Sequence, residues 1–439
     1  MSYIDRSIAF PVSGAAAWPV GAPPPWRGGI SLSAAVPPWW QPGDVLALDF
    51  ANGRYMRLGA AVPLAEALAT ARAGEARCIH DGVEHVFAAG EPVVVPGLGA
   101  DIWGAVTNMA LHSRALDDPY WTAANLAVAA NAAPGPDGAL TMEKLVADGS
   151  AAPHTLDAAP QAFAAGTAYV FQAVVAAAER SRIGLRFGTA AFPAAGRHAW
   201  FDLASGTVGG AEPGVAAGIR ALGGGFFLVW ISRAATASVA DAFGFYLTGG
   251  SIPAEAFAGD GVSGIHVTAA LLAATAMPLP PVPTGAASAT RPAGDCTIPD
   301  FAVLASAAGL DAGFAGRCVV DLTRLSDSTG RVIWSFGADS SNRVSCFIAN
   351  NDRVFLRLRV GGSNLLDIST GALATTGETQ IDFQVKNGAY TLSATGVADA
   401  VPNTGTFSLP TLSTAYVGLD FSGAYLNGAM KYLSLRSVE

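Results

Sequence analysis

Short apolar runs separated by turn clusters recur through the last third of the chain, and that punctuation constrains the fold more than any other feature. The runs are Cys318–Leu322, Val332–Phe336, Val344–Ile348, Val354–Val360, Gln380–Val385, Tyr390–Ala394, Thr414–Leu419 and Lys431–Leu435. Between them stand DSTG, NNDR, VGGSN, KNG and SGAYLNG. The run VFLRLRV alternates apolar and basic residues, the period-two pattern of a half-buried strand. Asn387-Gly388 between two runs is a strong hairpin signal. Antiparallel strands without helices predict a sandwich of two sheets over residues 296–439.

A second β unit is expected upstream. Its strand candidates are Ala168–Ala176, Ile183–Phe187, Ala199–Leu203, Gly225–Ser232, Ala242–Leu247 and Gly264–Ala270, joined by turn-rich segments. Gly223, Gly224 and Gly225 run into a strand with no following Lys, so they predict a bulge or a close sheet contact, not a phosphate loop. The prolines of MPLPPVPTGAASATRP read as a semi-stiff linker. Nearer the N-terminus, VLALDF and Tyr55–Leu58 read as a hairpin around Asn52-Gly53, and Pro63–Ala73 as a short helix. The Pro- and Trp-rich opening, with Pro23–Trp26 and Pro37–Trp40, suggests a docking arm. The expected fold class is therefore all-β: two antiparallel β-sandwich (jelly-roll) domains after a small β-rich anchoring region. The divisions are 1–105 for the anchor, 106–276 for the first sandwich, 277–295 for the linker and 296–439 for the second sandwich.

Charge and cysteine usage exclude several function classes. The chain of 439 residues carries 25 Lys and Arg against 34 Asp and Glu, a net −9 with no basic run, which suits it poorly to nucleic acid. Its 4 Cys show no CxxC spacing and are too few for a disulfide scaffold. No basic region followed by an apolar one opens the chain, so no secretory signal is expected. The most apolar stretch, Val267–Val282, is broken by Pro278, Pro280 and Pro281, so no membrane insertion is expected.

The chemistry inventory is thin. There is no GxSxG elbow and no Walker loop, and Asp117, Asp118, Asp339 and Asp382 are not singled out as an acid–base pair. Cys78, His80 and His85 have a zinc-like spacing without a fourth ligand and read better as part of a strand pair. No cofactor is expected; Asp137 and Asp260, each before a Gly, are the candidates for a structural calcium, though turn chemistry explains them equally well. For stacking on a sugar ring, Trp200 is the best candidate, since it alternates with His198 and Asp202. Trp121, after DDPY, is the second, and it reads more as a plug than a platform. Trp230 lies in a continuous apolar run and reads as core.

The segment Val106–Leu145 supplies Asn108, Ser113 and Trp121, then Pro136-Asp137-Gly138 and Lys144-Leu145. In that order it resembles the opening of the carbohydrate-binding-like sandwich domain of phage head-spike and tail-fibre proteins. The resemblance continues through Phe163–Ala178, Trp200–Gly206 and Gly259–Ala270. It departs where Trp103 stands near the usual acidic place and where Met109 and Met142 replace the usual residues. The end of the chain, YVGLDFSGAYLNGAMKYLSL, resembles the concanavalin-like (laminin-G-like) sandwiches appended to such proteins.

The resemblance implies a virion structural protein, a head spike or tail fibre of a phage or of a phage-derived gene transfer agent. Such a protein would be assembled in the bacterial cytoplasm and displayed on the particle surface. Its partners would be host-cell capsular polysaccharide and capsid or tail proteins, as a homo-oligomer or multi-copy array, and it would not be an enzyme. The alternatives are a polysaccharide depolymerase and a purely architectural virion protein.

Overall fold

The computed structural model describes residues 41–250, 256–322, 331–373 and 377–438. The Pro- and Trp-rich opening segment falls outside the described residues. Two antiparallel sandwiches account for nearly all of the described residues, as the strand pattern predicts.

The central sandwich pairs two six-stranded sheets. One sheet runs Trp121–Ala124, Thr155–Ala158, Phe243–Leu247, Arg182–Phe187, His198–Asp202 and Thr207–Ala211. The other runs Leu126–Pro134, Leu140–Ala147, Gly264–Ala273, Ala168–Ala177, Phe226–Ala234 and Ala216–Gly223. Alternate residues of each strand meet between the sheets, where Phe171, Leu185, Phe201, Phe243, Phe245, Ile231 and Leu272 are fully enclosed. Phe171 contacts both Phe243 and Phe245 edge-on, at 4.8 and 5.1 Å between ring centroids.

The other sandwich is discontinuous in sequence. Its larger sheet places Asp44–Asp49 beside Gly428–Ser437, which pairs in turn with Gly313–Leu322, Gly377–Lys386 and Ala389–Ala394. Its seven-stranded partner ends with Asp295–Thr297 and Ala69–Ala71. Leu46, Leu48 and Phe50 share one core with Trp334, Phe336, Leu433 and Leu435. Most strands of residues 44–102, expected as a region of their own, thus belong to the sheets of the C-terminal sandwich, the hairpin Ala76–His80/Val83–Phe87 being a sheet of its own, and the central sandwich is inserted between them and the rest. The cause is legible in VLALDF: all six residues of Asp44–Asp49 are buried, as in a strand covered on both faces.

Three local expectations change. The helix expected over 63–73 is one turn, Leu64–Ala67, because Ala69–Ala71 leaves it to pair with Asp295–Thr297. Phe301–Ala308 forms a helix where strands alone were expected; Phe301, Leu304 and Ala305 face the core and Gly309, at φ 69°, ends it. The VGGSN turn is followed by an unexpected strand, Ser363–Ala372, on the edge of the smaller sheet.

The proline segment is a strap and not a free linker. Met277, Leu279 and Val282 are buried. The Gln172 side-chain amide donates to the Leu279 carbonyl at 2.8 Å and accepts the Leu279 N–H at 2.7 Å, as a neighbouring strand would. Trp103, Val106, Leu279 and Val282 together cover Val170, Leu271 and Ala273 on the outer face of the second central sheet. Farther along that face, the hairpin Ala76–His80/Val83–Phe87 brings Ile79 against Val174, Leu222 and Leu228. Here Gly223 and Gly224 act as expected, while Gly225 has open space around it. A bulge lies between Ala221 and Gly223, and a Cβ on Gly223 would come within 2.6 Å of the Asp81 backbone.

Candidate functional site

One outer face of the central sandwich is covered by the rest of the chain; the outer face of the other sheet presents the aromatic and charged residues singled out in sequence. Strand register sorts them into rows. One row reads Thr155, Tyr246, Gly184, Trp200 and Gly210. The next reads Asp157, Gly244, Arg186 and His198, and a third pairs Arg182 with Asp202 and Asp202 with Thr207.

Glycine makes the row of aromatics. A Cβ on Gly184 would stand 2.0 Å from the Tyr246 ring, and one on Gly209 would stand 2.2 Å from the Trp200 ring. Both rings therefore lie down on bare backbone. Tyr246 is fully enclosed, whereas Trp200 is half-buried with its ring at the rim. Arg182 stands over the indole, its guanidinium carbon 5.5 Å from the ring centroid. The same guanidinium donates to an Asp202 carboxylate oxygen at 3.1 Å and to the Gly249 carbonyl. Burial pushes the Asp202 carboxyl up, but hydrogen bonds from Arg182 and from the Ala204 and Ser205 backbone outweigh it and hold the group below the usual range. Ser205 and Thr207 place two exposed hydroxyls 2.7 Å apart on the same rim. The part of the indole that Arg182 leaves uncovered, beside a fixed donor, a fixed acceptor and two hydroxyls, can pack on an apolar ring face and hydrogen-bond the groups around its edge.

The remaining sequence candidates have other work. His198 is 1% exposed, its Nδ1 3.2 Å from Glu212 and its ring edge-on to Tyr246 at 5.7 Å. Burial, then the nearby Arg197, lowers its pKa, so it sits neutral beneath the face and does not reach a ligand. Trp121 is 5% exposed, enclosed by Phe243 at 5.8 Å and Phe245 at 5.7 Å; it is a core plug with no free face. Asp137 accepts the Ala139 N–H and the Thr141 hydroxyl and pairs with Arg114 at 3.0 Å. Asp260 accepts from the Ser263 hydroxyl and the Ser263 and Val262 N–H groups, which hold its carboxyl well below the usual range. Both are turn residues, and among the described residues no group of three His, Cys, Asp or Glu side chains could hold a metal ion. Cys78 and His85 face each other across a hairpin, as the strand-pair reading has it.

The motif residues also prove architectural. Asn108 is fully buried and uses its whole amide: it donates to the Ala270 and Val282 carbonyls and accepts from the Ala110 and Leu272 N–H groups, all at 2.8–3.0 Å. Ser113 accepts the Thr284 N–H at 2.9 Å. The two residues tie the strap to the sandwich.

Sequence reasoning missed Arg182, whose role depends on the cross-strand pairing with Asp202. It also missed a second, half-buried cluster at the surface of the C-terminal sandwich. There Phe347 and Phe355 stack at 5.3 Å, and Arg357, paired with Asp367, stands 4.8 Å over Phe347. The alternation in VFLRLRV was the available signal.

No family profile and no curated protein sequence matches this chain. Among solved structures, the sialidase CBM40 of Ruminococcus gnavus bound to α2,3-sialyllactose aligns at 17% identity and a TM-score of 0.25, over 31% of this chain and 83% of that one. The binding domain of botulinum neurotoxin DC in complex with rat synaptotagmin II aligns at 12% identity and a TM-score of 0.25, over 33% of this chain and 35% of that one. The binding domain of botulinum neurotoxin serotype C1 gives 10% identity and the same TM-score, 0.25, over 33% and 36%.

Proposed function

We propose that this chain is a non-enzymatic, glycan-binding structural protein of a phage-like particle, a spike or fibre that attaches the particle to capsular polysaccharide. The observation that carries the binding half is the Trp200 rim, an indole laid on glycine with Arg182 and Asp202 fixed beside it. The particle half rests on the ordered resemblance from Asn108 to Ala270 to spike and fibre sandwich domains. A single shallow rim of this kind binds weakly, so useful attachment requires many copies acting through effective concentration.

The test is retention of the purified full chain on encapsulated cells and on cells stripped of capsule. The whole chain is needed, because truncation before residue 107 would strip Asp44–Asp49 from the larger sheet. Capsule-dependent retention with unchanged polymer length is the expected result. Shortening of the polymer would replace the reading with a depolymerase. Equal retention, or none even when the protein is displayed in multiple copies, would leave the architectural reading.

A further inference from the structure

A cavity of about 260 Å³ lies where the two sandwiches and the Ala76–Phe87 hairpin meet. Its floor comes from the larger sheet of the C-terminal sandwich. Asp101 pairs with Ala429, and Ala429 with Asp321, so the three residues form one cross-strand row on one face. At about 4.8 Å per strand, the two carboxylates stand roughly 10 Å apart with only an alanine between them. Arg220, from the strand Ala216–Gly223, faces them from the central sandwich.

Among the described residues, the Arg220 guanidinium has no hydrogen-bond or ion-pair partner. The residue keeps exposed area, and its side chain lines the cavity, set back among protein. Desolvation accordingly lowers its pKa, against the pull of Asp101 and Asp321. The neighbouring cation is already engaged, since Lys431 pairs with Glu378. Asp101 accepts the Trp103 indole N–H at 2.6 Å, which fixes one of its oxygens. Leu98, Val174, Leu222, Leu228, Pro280 and Pro281 supply the apolar wall.

We propose that this cavity binds a neutral polyhydroxyl ligand, a single hexose-sized sugar ring, held between the Asp101/Asp321 row and Arg220. The charge pattern selects the class. An anion would meet the Asp101 and Asp321 carboxylates, with Asp81 on the wall beside them, and a cation would meet the Arg220 guanidinium. An apolar occupant would strip water from Arg220 without replacing its hydrogen bonds, at a prohibitive cost. A neutral polyol donates to the carboxylates and accepts from the guanidinium while its ring faces the apolar wall. The volume, below the roughly 300–1,000 Å³ of pockets that take drug-sized ligands, limits the occupant to something small. The site is separate from the Trp200 rim and does not depend on it.

The experiment is saturation-transfer NMR on the full chain with the methyl α-glycosides of glucose, galactose and mannose, and with glucuronate and glucosamine. The expected result is transfer to at least one neutral glycoside and to neither charged sugar. Transfer should fall at least tenfold in Arg220→Ala and persist in Trp200→Ala. Asp321→Asn offers the same reading should Arg220→Ala misfold. No transfer to any neutral glycoside, preference for a charged sugar, or transfer indifferent to both cavity variants would overturn the proposal. Transfer lost in Trp200→Ala alone would place the sugar on the rim, sinking the cavity site and leaving the proposed function intact.

Discussion

Two tryptophans in the central sandwich sit in nearly the same local setting and do different things. Trp200 lies across Gly209 on one sheet, and Trp230 lies across Gly218 on the other, where a Cβ would approach the rings to 2.2 and 2.0 Å. What separates them is what lies above. Trp230, half-buried like Trp200, packs against the cluster that holds Trp103, Leu279 and Val282, beside the strap on the outer face of its sheet. Among the described residues, Trp200 has Arg182 over it and Gly250 near its ring, and no strap crosses it. An aromatic on glycine is therefore not by itself a binding feature. Burial by distant chain turns one into a structural contact and leaves the other as surface for a ligand.

The largest effect should come from cutting the clasp of the covered face. Asn108→Ala leaves two carbonyls and two N–H groups buried without partners. At about 1–3 kcal/mol for each orphaned group, with some relief from relaxation, a loss of roughly 3–5 kcal/mol is expected in denaturant unfolding. A loss under about 1 kcal/mol would mean that the strap is not held in this way.

Gly218→Ala comes next. The added methyl drives Trp230 into the buried cluster of Trp103, Leu279 and Val282, so a cost of about 2–3 kcal/mol is expected from overpacking. Thermal unfolding of this variant beside Gly209→Ala measures the contrast directly. Equal losses would erase the distinction between the faces.

How much of this was legible in the sequence depends on how each part is built. Interior strands such as Ala168–Ala177 and Phe226–Ala234 announce themselves, since they bury large side chains in continuous or alternating runs. The outermost strands of both central sheets do not: Trp121–Ala124, Thr207–Ala211, Leu126–Pro134 and Ala216–Gly223 are mostly alanine and glycine. An edge strand needs little apolar surface, and here its small residues make room for rings from the next strand. Trp200 was legible because it alternates with polar residues. Arg182 and the Asp101–Ala429–Asp321 row were not, because pairing between residues far apart in the chain creates them. For the same reason Asp44–Asp49 could be read as a strand but not as a neighbour of Gly428–Ser437.

A carboxyl inside the sandwich separates stability from either outer face. Glu143 is 1% exposed, and burial, then repulsion from Asp117, raises its pKa from 4.5 to about 7, against a backbone hydrogen bond from Asn131. The folded chain then holds this proton more tightly than the unfolded chain does. The stability it contributes is complete below pH 4.5 and is lost as pH rises through about 7. Glu143→Gln removes that dependence. The variant and parent should differ least near pH 4, and the variant should gain about 3 kcal/mol relative to the parent by pH 8. Parallel curves of stability against pH would show that Glu143 is ionised in the fold throughout.

The smallest stability effects, and the largest effect on binding, belong to the open face. Trp200→Ala removes a half-buried ring from a rim where Arg182 keeps its bonds to Asp202 and Gly249, so stability should fall by no more than about 1 kcal/mol. Retention on encapsulated cells should fall at least tenfold, because multivalent display multiplies the loss at each copy. Gly209→Ala divides the effect more finely. Its methyl lifts the indole toward Arg182, an exposed side chain that yields more readily than a buried strap, so the fold should lose less than in Gly218→Ala. The tilted ring no longer lies level with the Arg182–Asp202 pair, so retention should fall between that of the parent and that of Trp200→Ala. Undiminished retention in both variants would take the binding surface away from this rim. The stacked Phe347 and Phe355 beneath Arg357 would then become the face to test.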